Sequence, residues 1–108
     1  MSGPFVYLWE FEVPPETKAD FLQHYGPDGE WARLFRRAPA YLGTWLLKDQ
    51  ANPERYLTVD RWRSQEAYAA FLERFRADYQ ALDQRCEGFT RREASLGSFW
   101  QVGGGERS

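Results

Sequence analysis

The segment Arg55–Arg63 alternates like a β-strand and places an acid among aromatic side chains. Residues two apart in a strand share a face, so Tyr56, Asp60 and Trp62 lie on the same side. The strand is otherwise hydrophobic, and a buried Asp60 carboxylate needs a hydrogen bond or a charge partner. An ion pair with an Arg of a neighbouring strand would satisfy it structurally. Alternatively, Asp60 lies in an aromatic pocket, where desolvation raises its pKa and lets it take a proton from a weakly acidic substrate.

Few other side chains are candidates for chemistry. His24, the only imidazole, is predicted late in the first helix, and it could line a site because its ordinary pKa is close to neutrality. No His, Cys or carboxylate residues are grouped with the spacing of metal ligands, so no metal site is predicted. Cys86 completes the apolar stripe of a helix and is expected to be a small buried hydrophobic residue.

Four strands and three helices are expected to position these residues. The strands are predicted where aromatic and β-branched residues alternate with others, over Phe5–Val13, Tyr41–Asp49, Arg55–Arg63 and an apolar segment 89–102 that is most strand-like at Leu96–Val102. The helices are predicted where apolar residues recur at three and four, over Pro15–Tyr25, over a short helix capped by Asp28, and over a long helix capped by Ser64 with Gly88 as its C′ residue.

The order of these elements predicts an α+β fold of the ferredoxin-like type, with a four-stranded antiparallel sheet and helices on one face. The second and third strands should be an antiparallel pair, because only a short loop joins them. The strands are apolar on both faces while the helices cover one, so the other face is expected to meet a second copy in a homodimer. We predict a single domain over 1–102 and a disordered, Gly-rich tail over 103–108.

Composition limits the classes of function. The 108 residues include 14 basic and 16 acidic ones, and this net charge of −2, with the signs interspersed, disfavours binding to nucleic acid or anionic lipid. The Lys/Arg-Gly-Phe-Gly-Phe motif of RNA-binding ferredoxin-like domains is also absent. No apolar stretch approaches membrane-spanning length, and a single Cys fits a reducing compartment, so a soluble cytoplasmic protein is predicted. The 18% aromatic content suits a subunit interface or an aromatic pocket.

Several short motifs resemble the antibiotic biosynthesis monooxygenase superfamily, whose members are dimeric α/β-barrel proteins. The resemblance is carried by Leu42-Gly43-Thr44, by Arg55-Tyr56-Leu57, and above all by the run that begins Asp60-Arg61-Trp62 and ends Ala67-Tyr68. It extends over nearly the whole chain. The superfamily includes cofactor-independent quinol and anthrone oxygenases, haem-degrading enzymes and members without a known activity, so the fold does not settle the function.

The resemblance implies an oxygenase that needs no cofactor, because an electron-rich phenolic substrate can itself reduce O₂ once it is deprotonated. Haem-degrading members of the superfamily carry a His on the helix after the Trp and an Asn on the first strand. Here that helix offers Phe71 and Leu72, and the first strand has no Asn, so haem is not expected.

The same resemblance implies roles for individual residues. Asp60 or His24 would accept the proton, while Trp62, Tyr56 and Tyr68 would donate hydrogen bonds to the developing oxyanion. Aromatic side chains of the helices would bind the planar substrate: Trp31, Phe35, Tyr68 and Phe71. The predicted partners are a small aromatic molecule and O₂. The alternative function is a non-catalytic dimeric domain that binds a small aromatic ligand without turning it over.

Overall fold

The computed structural model of the chain describes residues 3–104, which form a four-stranded sheet with helices packed on one side. The elements follow in the order β1 (Phe5–Glu12), a 3₁₀ turn (Pro15–Thr17), α1 (Lys18–Tyr25), α2 (Glu30–Phe35), β2 (Tyr41–Lys48), β3 (Arg55–Trp62), α3 (Gln65–Arg74), α4 (Arg76–Cys86), a second 3₁₀ turn (Glu87–Phe89) and β4 (Arg92–Trp100). The strand order across the sheet is β2-β3-β1-β4, and every pairing is antiparallel. This arrangement confirms the predicted ferredoxin-like fold.

The register of the central strands brings polar residues together on the helix-covered face. β1 pairs with β3 so that Tyr7 lies opposite Asp60 and Phe11 lies opposite Tyr56. β2 pairs with the other side of β3, which places Thr44 opposite Asp60. Because directly opposite residues in an antiparallel pair point to the same face, these side chains meet beneath the helices.

The structure has one of the two predicted helix caps. The Ser64 hydroxyl accepts a hydrogen bond from the backbone N–H of Ala67 at 3.1 Å, which is the predicted N-cap of α3. The short second helix is present, but its predicted N-cap was wrong, because Gly29 rather than Asp28 is the N-cap of α2. The Asp28 carboxylate instead accepts a hydrogen bond from Arg36 at 3.0 Å.

The predicted long helix is divided at Phe75 into α3 and α4. The Phe75 backbone, with φ −111° and ψ 28°, leaves the helical range. Its buried ring packs against Phe71, with 5.2 Å between the ring centroids, and the guanidinium groups of Arg37 and Arg74 lie over it at 4.7 and 5.3 Å. Packing at this residue overrides the helix propensity of the segment, which is why the periodicity alone did not predict the break.

Boundaries near the C-terminus also differ from the prediction. α4 ends at Cys86, and Gly88 lies within the second 3₁₀ turn instead of at a C′ position. β4 begins at Arg92, earlier than its most strand-like part, because its charged first residues pair with the end of β1, with Arg92 opposite Glu12. Charged residues are common on edge strands such as this one. Positions 105–108 of the predicted tail lie outside the described residues.

The two faces of the sheet differ in their surroundings. The inner face and the helices share a largely aromatic core, composed of Phe5, Phe11, Val13, Phe21, Tyr25, Trp31, Leu34, Phe35, Tyr56, Trp62, Phe71, Phe75, Leu82 and Cys86. On the outer face Trp45, Leu47 and Phe99 remain 64%, 44% and 49% exposed. Thus one face is closed within the chain and the other is open. In residues 3–104, no helix is long and apolar enough to cross a membrane.

Candidate active site

A cavity of about 250 Å³ lies between the inner face of the sheet and the helices. Its wall is mainly aromatic, and its polar groups are hydroxyls and carboxylates. The lining residues are Tyr7, Trp9, Phe11, Tyr25, Trp31, Ala32, Phe35, Thr44, Thr58, Asp60, Tyr68, Tyr79, Asp83 and Glu93. Concave, mostly apolar sites with a few placed polar groups are the usual form of a small-molecule site.

Three carboxylates line the cavity among the described residues, and Asp60, on β3, is the one that is not exposed. Its Oδ1 accepts a hydrogen bond from the Thr44 hydroxyl at 2.6 Å, and that hydroxyl is itself paired with the Tyr41 hydroxyl. Its Oδ2 makes no hydrogen bond with a described residue, and no Arg or Lys of residues 3–104 forms a salt bridge with it. One oxygen is therefore held in place while the other is free to act on a ligand.

Burial raises the pKa of Asp60 to about 6, from an ordinary value near 3.8. Desolvation disfavours the charged carboxylate, and the hydrogen bond from Thr44 opposes the shift only in part. A carboxylate with this pKa is ionised at neutral pH but binds a proton more readily than an ordinary Asp. It is therefore suited to accept a proton from a ligand.

The raised pKa of Asp60 predicts that Asp60→Asn stabilises the fold above pH 6. A carboxyl whose folded pKa is raised contributes stability below its unfolded pKa near 4, and that stability is lost as the pH rises through about 6. Asn keeps an acceptor for Thr44 without the buried charge, so we expect a gain of about 1–3 kcal/mol at pH 8 and little change at pH 3.5. Urea unfolding at the two pH values measures this difference. Equal unfolding free energies of the two proteins at pH 8 would contradict it.

Tyrosine hydroxyls provide neutral hydrogen-bond donors around the cavity. Burial, together with the neighbouring Tyr79, Tyr7 and Asp60, raises the pKa of Tyr68 well above its usual range. Burial, followed by Tyr7 and nearby carboxylates, raises the pKa of Tyr79 to about 12. Both phenols therefore stay protonated at neutral pH, where Asp60 is ionised, and each keeps an O–H to donate.

Four of the predicted site residues meet at this cavity: Asp60, Trp31, Phe35 and Tyr68. Trp31 and Phe35 lie on α2 with 5.8 Å between their ring centroids, and they form one wall. Tyr68 projects from the first turn of α3 and meets the ring of Tyr7 edge to face at 5.4 Å. The structure thus groups the predicted acid with three of the aromatic residues predicted to bind substrate.

Trp62, Tyr56 and Phe71 lie in the core instead of lining the cavity. Trp62 is fully buried among the rings of Phe35, Tyr41, Tyr68 and Phe71, and its Nε1–H has no hydrogen-bond partner. The Tyr56 hydroxyl is likewise buried without a partner, beside the ring of Phe21. Trp62 and Tyr56 share the strand face of Asp60, but neither of them lines the cavity.

His24 is also outside the cavity lining. Its Nδ1 lies 2.8 Å from the backbone carbonyl oxygen of Asp20, and its Nε2 lies 3.4 Å from a carboxylate oxygen of Glu30. Its ring packs on Phe89 at 4.8 Å. Through these contacts the imidazole connects α1 to α2 and to the second 3₁₀ turn, which is a structural role.

Several lining residues were not predicted from the sequence as site residues. Tyr7 and Trp9 alternate along β1 on its inner face, and their rings stack at 5.7 Å. Thr44 belongs to the motif Leu42-Gly43-Thr44, which carries part of the family resemblance, but the resemblance implied no role for its side chain. Tyr79 recurs at helical spacing with Phe75 and Leu82 in the predicted long helix, but periodicity alone cannot separate a cavity wall from a filled core.

In the part of the chain that the structure describes, no group of three or more His, Cys, Asp or Glu side chains is arranged to hold a metal ion. The cavity carboxylates come from different elements, and Asp83 and Glu93 lie at its exposed edge. The described residues therefore offer no metal centre to the cavity.

The sequence of residues 4–85 matches the antibiotic biosynthesis monooxygenase family. This match extends over most of the chain, and the protein therefore belongs to that family. Comparison with curated proteins gives no significant match.

Three solved structures with the same fold are 16–23% identical to this chain. A protein from Bordetella bronchiseptica, described as an antibiotic biosynthesis monooxygenase, is 21% identical, with a TM-score of 0.75 and coverage of 94% of this chain and 99% of its own. SnoaB from Streptomyces nogalater, a cofactor-independent oxygenase, is 16% identical, with a TM-score of 0.71 and coverage of 95% and 97%. A variant of MhuD with two manganese protoporphyrin IX molecules bound per active site is 23% identical, with a TM-score of 0.71 and coverage of 95% and 99%. At these identities the likeness establishes the fold.

Proposed function

We propose that this protein is a cofactor-independent monooxygenase that oxidises a phenolic, quinol or anthrone-type substrate with O₂. The observation that carries the proposal is the Asp60 carboxylate, which has one free oxygen and a pKa near 6, in an aromatic cavity of about 250 Å³. Membership of the family supports a monooxygenase-type activity.

The first step would be removal of a proton from the substrate by Asp60. The resulting anion is electron-rich and can pass one electron to O₂, after which the two radicals combine into a peroxide. For an anthrone, loss of water from this peroxide leaves a carbonyl group where the substrate had a CH₂ group. One oxygen atom enters the product and the other leaves as water, so O₂ is the only oxidant that the reaction needs.

Tyr68 would stabilise the anion formed in that step. Its hydroxyl stays protonated, and its ring lies in the wall that also holds Asp60 and Tyr7. A donor aimed at a developing oxyanion in a site with little water lowers the barrier far more than it would in water. The Asp60 carboxyl becomes neutral when it takes the proton, so it does not repel the new anion. Trp31 and Phe35 would hold the planar ring.

The described lining does not fit a haem group. No imidazole or thiol faces the cavity in residues 3–104, since His24 and Cys86 are absent from its wall. Positions Phe71 and Leu72 on α3 are apolar, and the haem propionates would meet the carboxylates of Asp60, Asp83 and Glu93. These features support an oxygenase in which the substrate supplies the electrons.

We also propose that the outer face of the sheet forms a homodimer. The uncovered face presents Trp45, Leu47 and Phe99, and it continues over partly buried side chains of the central strands, such as Leu8 and Val59. Large apolar residues gathered on one surface mark an interaction site. A second copy of the same sheet offers a matching apolar face.

The proposal predicts oxygen consumption by the purified protein with anthrone or a quinol as substrate, in the presence of a metal chelator. We expect uptake that saturates with substrate and is unchanged by EDTA, because no step uses a metal. An oxygen electrode measures the rate, and heat-denatured protein gives the background. Saturable binding of these substrates without uptake above the background would instead support the alternative, a domain that binds an aromatic ligand without turnover.

A further inference from the structure

The cavity is acidic as well as aromatic. Asp60 lies within it, while the exposed residues Asp83 on α4 and Glu93 on β4 mark its opening. In the described part of the chain, no Lys, Arg or His lines the cavity, and none of the three carboxylates forms a salt bridge. Among the described residues, their side-chain hydrogen-bond partners are two hydroxyls: Thr44 donates to Asp60 at 2.6 Å, and Thr90 donates to Glu93 at 2.9 Å.

The basic residues that are close in the chain to these acids point elsewhere. Arg92, next to Glu93 on β4, alternates to the other face of the sheet, opposite Glu12. Arg85, two residues beyond Asp83 on α4, lies 3.3 Å from Glu30. Arg91 lies just before β4, and its guanidinium group contacts the carboxylates of Glu12 and Glu54. The negative charge of the opening is therefore left for a ligand to balance.

The aromatic wall is suited to the same kind of charge. Tyr7 and Trp9 stack along β1, and Trp31 and Tyr79 meet edge to face at 4.9 Å on the helix side. The faces of such rings attract a cation within about 6 Å, an interaction worth roughly 0.5–2 kcal/mol. An ammonium group near the opening would therefore meet both carboxylates and ring faces.

One buried polar side chain of the wall is without a partner. Thr58 is only 4% exposed, lines the cavity, and makes no side-chain hydrogen bond to a described residue. Buried polar groups are normally hydrogen-bonded, so the Thr58 hydroxyl indicates that the cavity is shaped for a ligand with polar atoms of its own.

We infer that the cavity selects an aromatic ligand that carries a protonated amine. This inference deepens the proposed function, because it assumes that the same cavity holds the substrate. The phenolic ring lies against the aromatic wall with its hydroxyl toward Asp60, and the ammonium group lies at the opening beside Asp83 and Glu93. A ligand with a carboxylate in place of the amine is repelled by both acids.

The test is a comparison of three ligands that share one ring and differ in side-chain charge. Serotonin carries an ammonium group, 3-methyl-5-hydroxyindole is neutral, and 5-hydroxyindole-3-acetate carries a carboxylate. Isothermal titration calorimetry at low salt should give a Kd for serotonin about tenfold below that of the carboxylate, with the neutral ligand between them. Because Asp83 and Glu93 are exposed, the ratio should shrink as salt is added.

The double variant Asp83→Asn with Glu93→Gln should reduce the serotonin-to-carboxylate ratio to less than threefold. The matched control is Asp78→Asn. Asp78 is on α4, like Asp83, but its carboxylate contacts Arg37 and does not line the cavity. This control should keep the ratio of the unaltered protein. Circular dichroism spectra of the variants establish that each is folded.

Equal affinity for the three ligands, tighter binding of the carboxylate, or no binding of any of them overturns the inference. So does a ratio that is unchanged in the double variant. Failure of the proposed function has a different signature, since charge-selective binding would persist while no phenol or quinol supports oxygen uptake. If neutral quinols support oxygen uptake but binding does not depend on ligand charge, the proposed oxygenase function stands and the inference about the amine is wrong.

Discussion

Asp60→Asn is expected to lower the rate of oxygen uptake by a factor of about 100 to 10,000, the usual contribution of a positioned general base. The amide keeps an oxygen that can accept the Thr44 hydrogen bond, so the local geometry should be preserved. It cannot take a proton from the substrate. The loss should fall on kcat, because the aromatic wall that binds the ring is unchanged.

The pH dependence gives a second readout of the same residue. The ionised carboxylate is the active form, so kcat/KM of the unaltered protein should rise with pH through about 6 and then level off. The small residual activity of Asp60→Asn should lack this step. Asp78→Asn, remote from the cavity, should retain both the rate and the pH profile. Retention of more than a tenth of the activity by Asp60→Asn would falsify the role of the carboxylate as base.

Replacing Trp45 and Phe99 together by Glu is expected to convert the protein into a monomer. Both side chains are about half or more exposed on the outer face of the sheet, where the proposed partner would cover them. Burying carboxylates against an apolar partner surface costs several kcal/mol for each charge, which exceeds what a moderate interface supplies. Light scattering after gel filtration should give twice the 12.7 kDa chain mass for the unaltered protein and the single mass for the variant.

Leu22→Glu is the matched control for this prediction. Leu22 is a large apolar residue, 38% exposed, but it lies on α1, on the opposite side of the sheet. The same change of chemistry there should leave the dimer intact. A monomeric mass for the unaltered protein, or a dimer that survives both outer-face changes, would contradict the proposed interface.

The fold was predictable because local signals agreed with one another. Alternation defined β1, β2 and β3 to within about one residue, and the cap at Ser64 located the start of α3. The sequence did not predict the element boundaries that depend on tertiary contacts. The break at Phe75 lies where its ring packs against Phe71 and contacts the guanidinium groups of Arg37 and Arg74. The charged start of β4 is a strand because β1 lies beside it.

The sequence predicted which residues share a strand face in the candidate site, but not which of them line the cavity. Strand alternation correctly put Asp60, Tyr56 and Trp62 on one face, but it does not say where along that face a cavity opens. That position depends on the helices above: α2 and α3 fill the space over Trp62 and leave the space over Asp60 free. Residues separated along the chain, such as Tyr7 and Thr44, joined the site through register alone.

The two faces of β3 leave this strand little freedom to gain or lose a residue. Val59 and Asp60 are neighbours in the chain, yet one belongs to the open outer surface and the other to the cavity. A single deletion inside β3 would exchange the surfaces of every residue beyond it, exposing Trp62 and turning the acid outward. Evolution can therefore vary the chemistry of this site by substitution, while changes of length are confined to the loops that flank the strand.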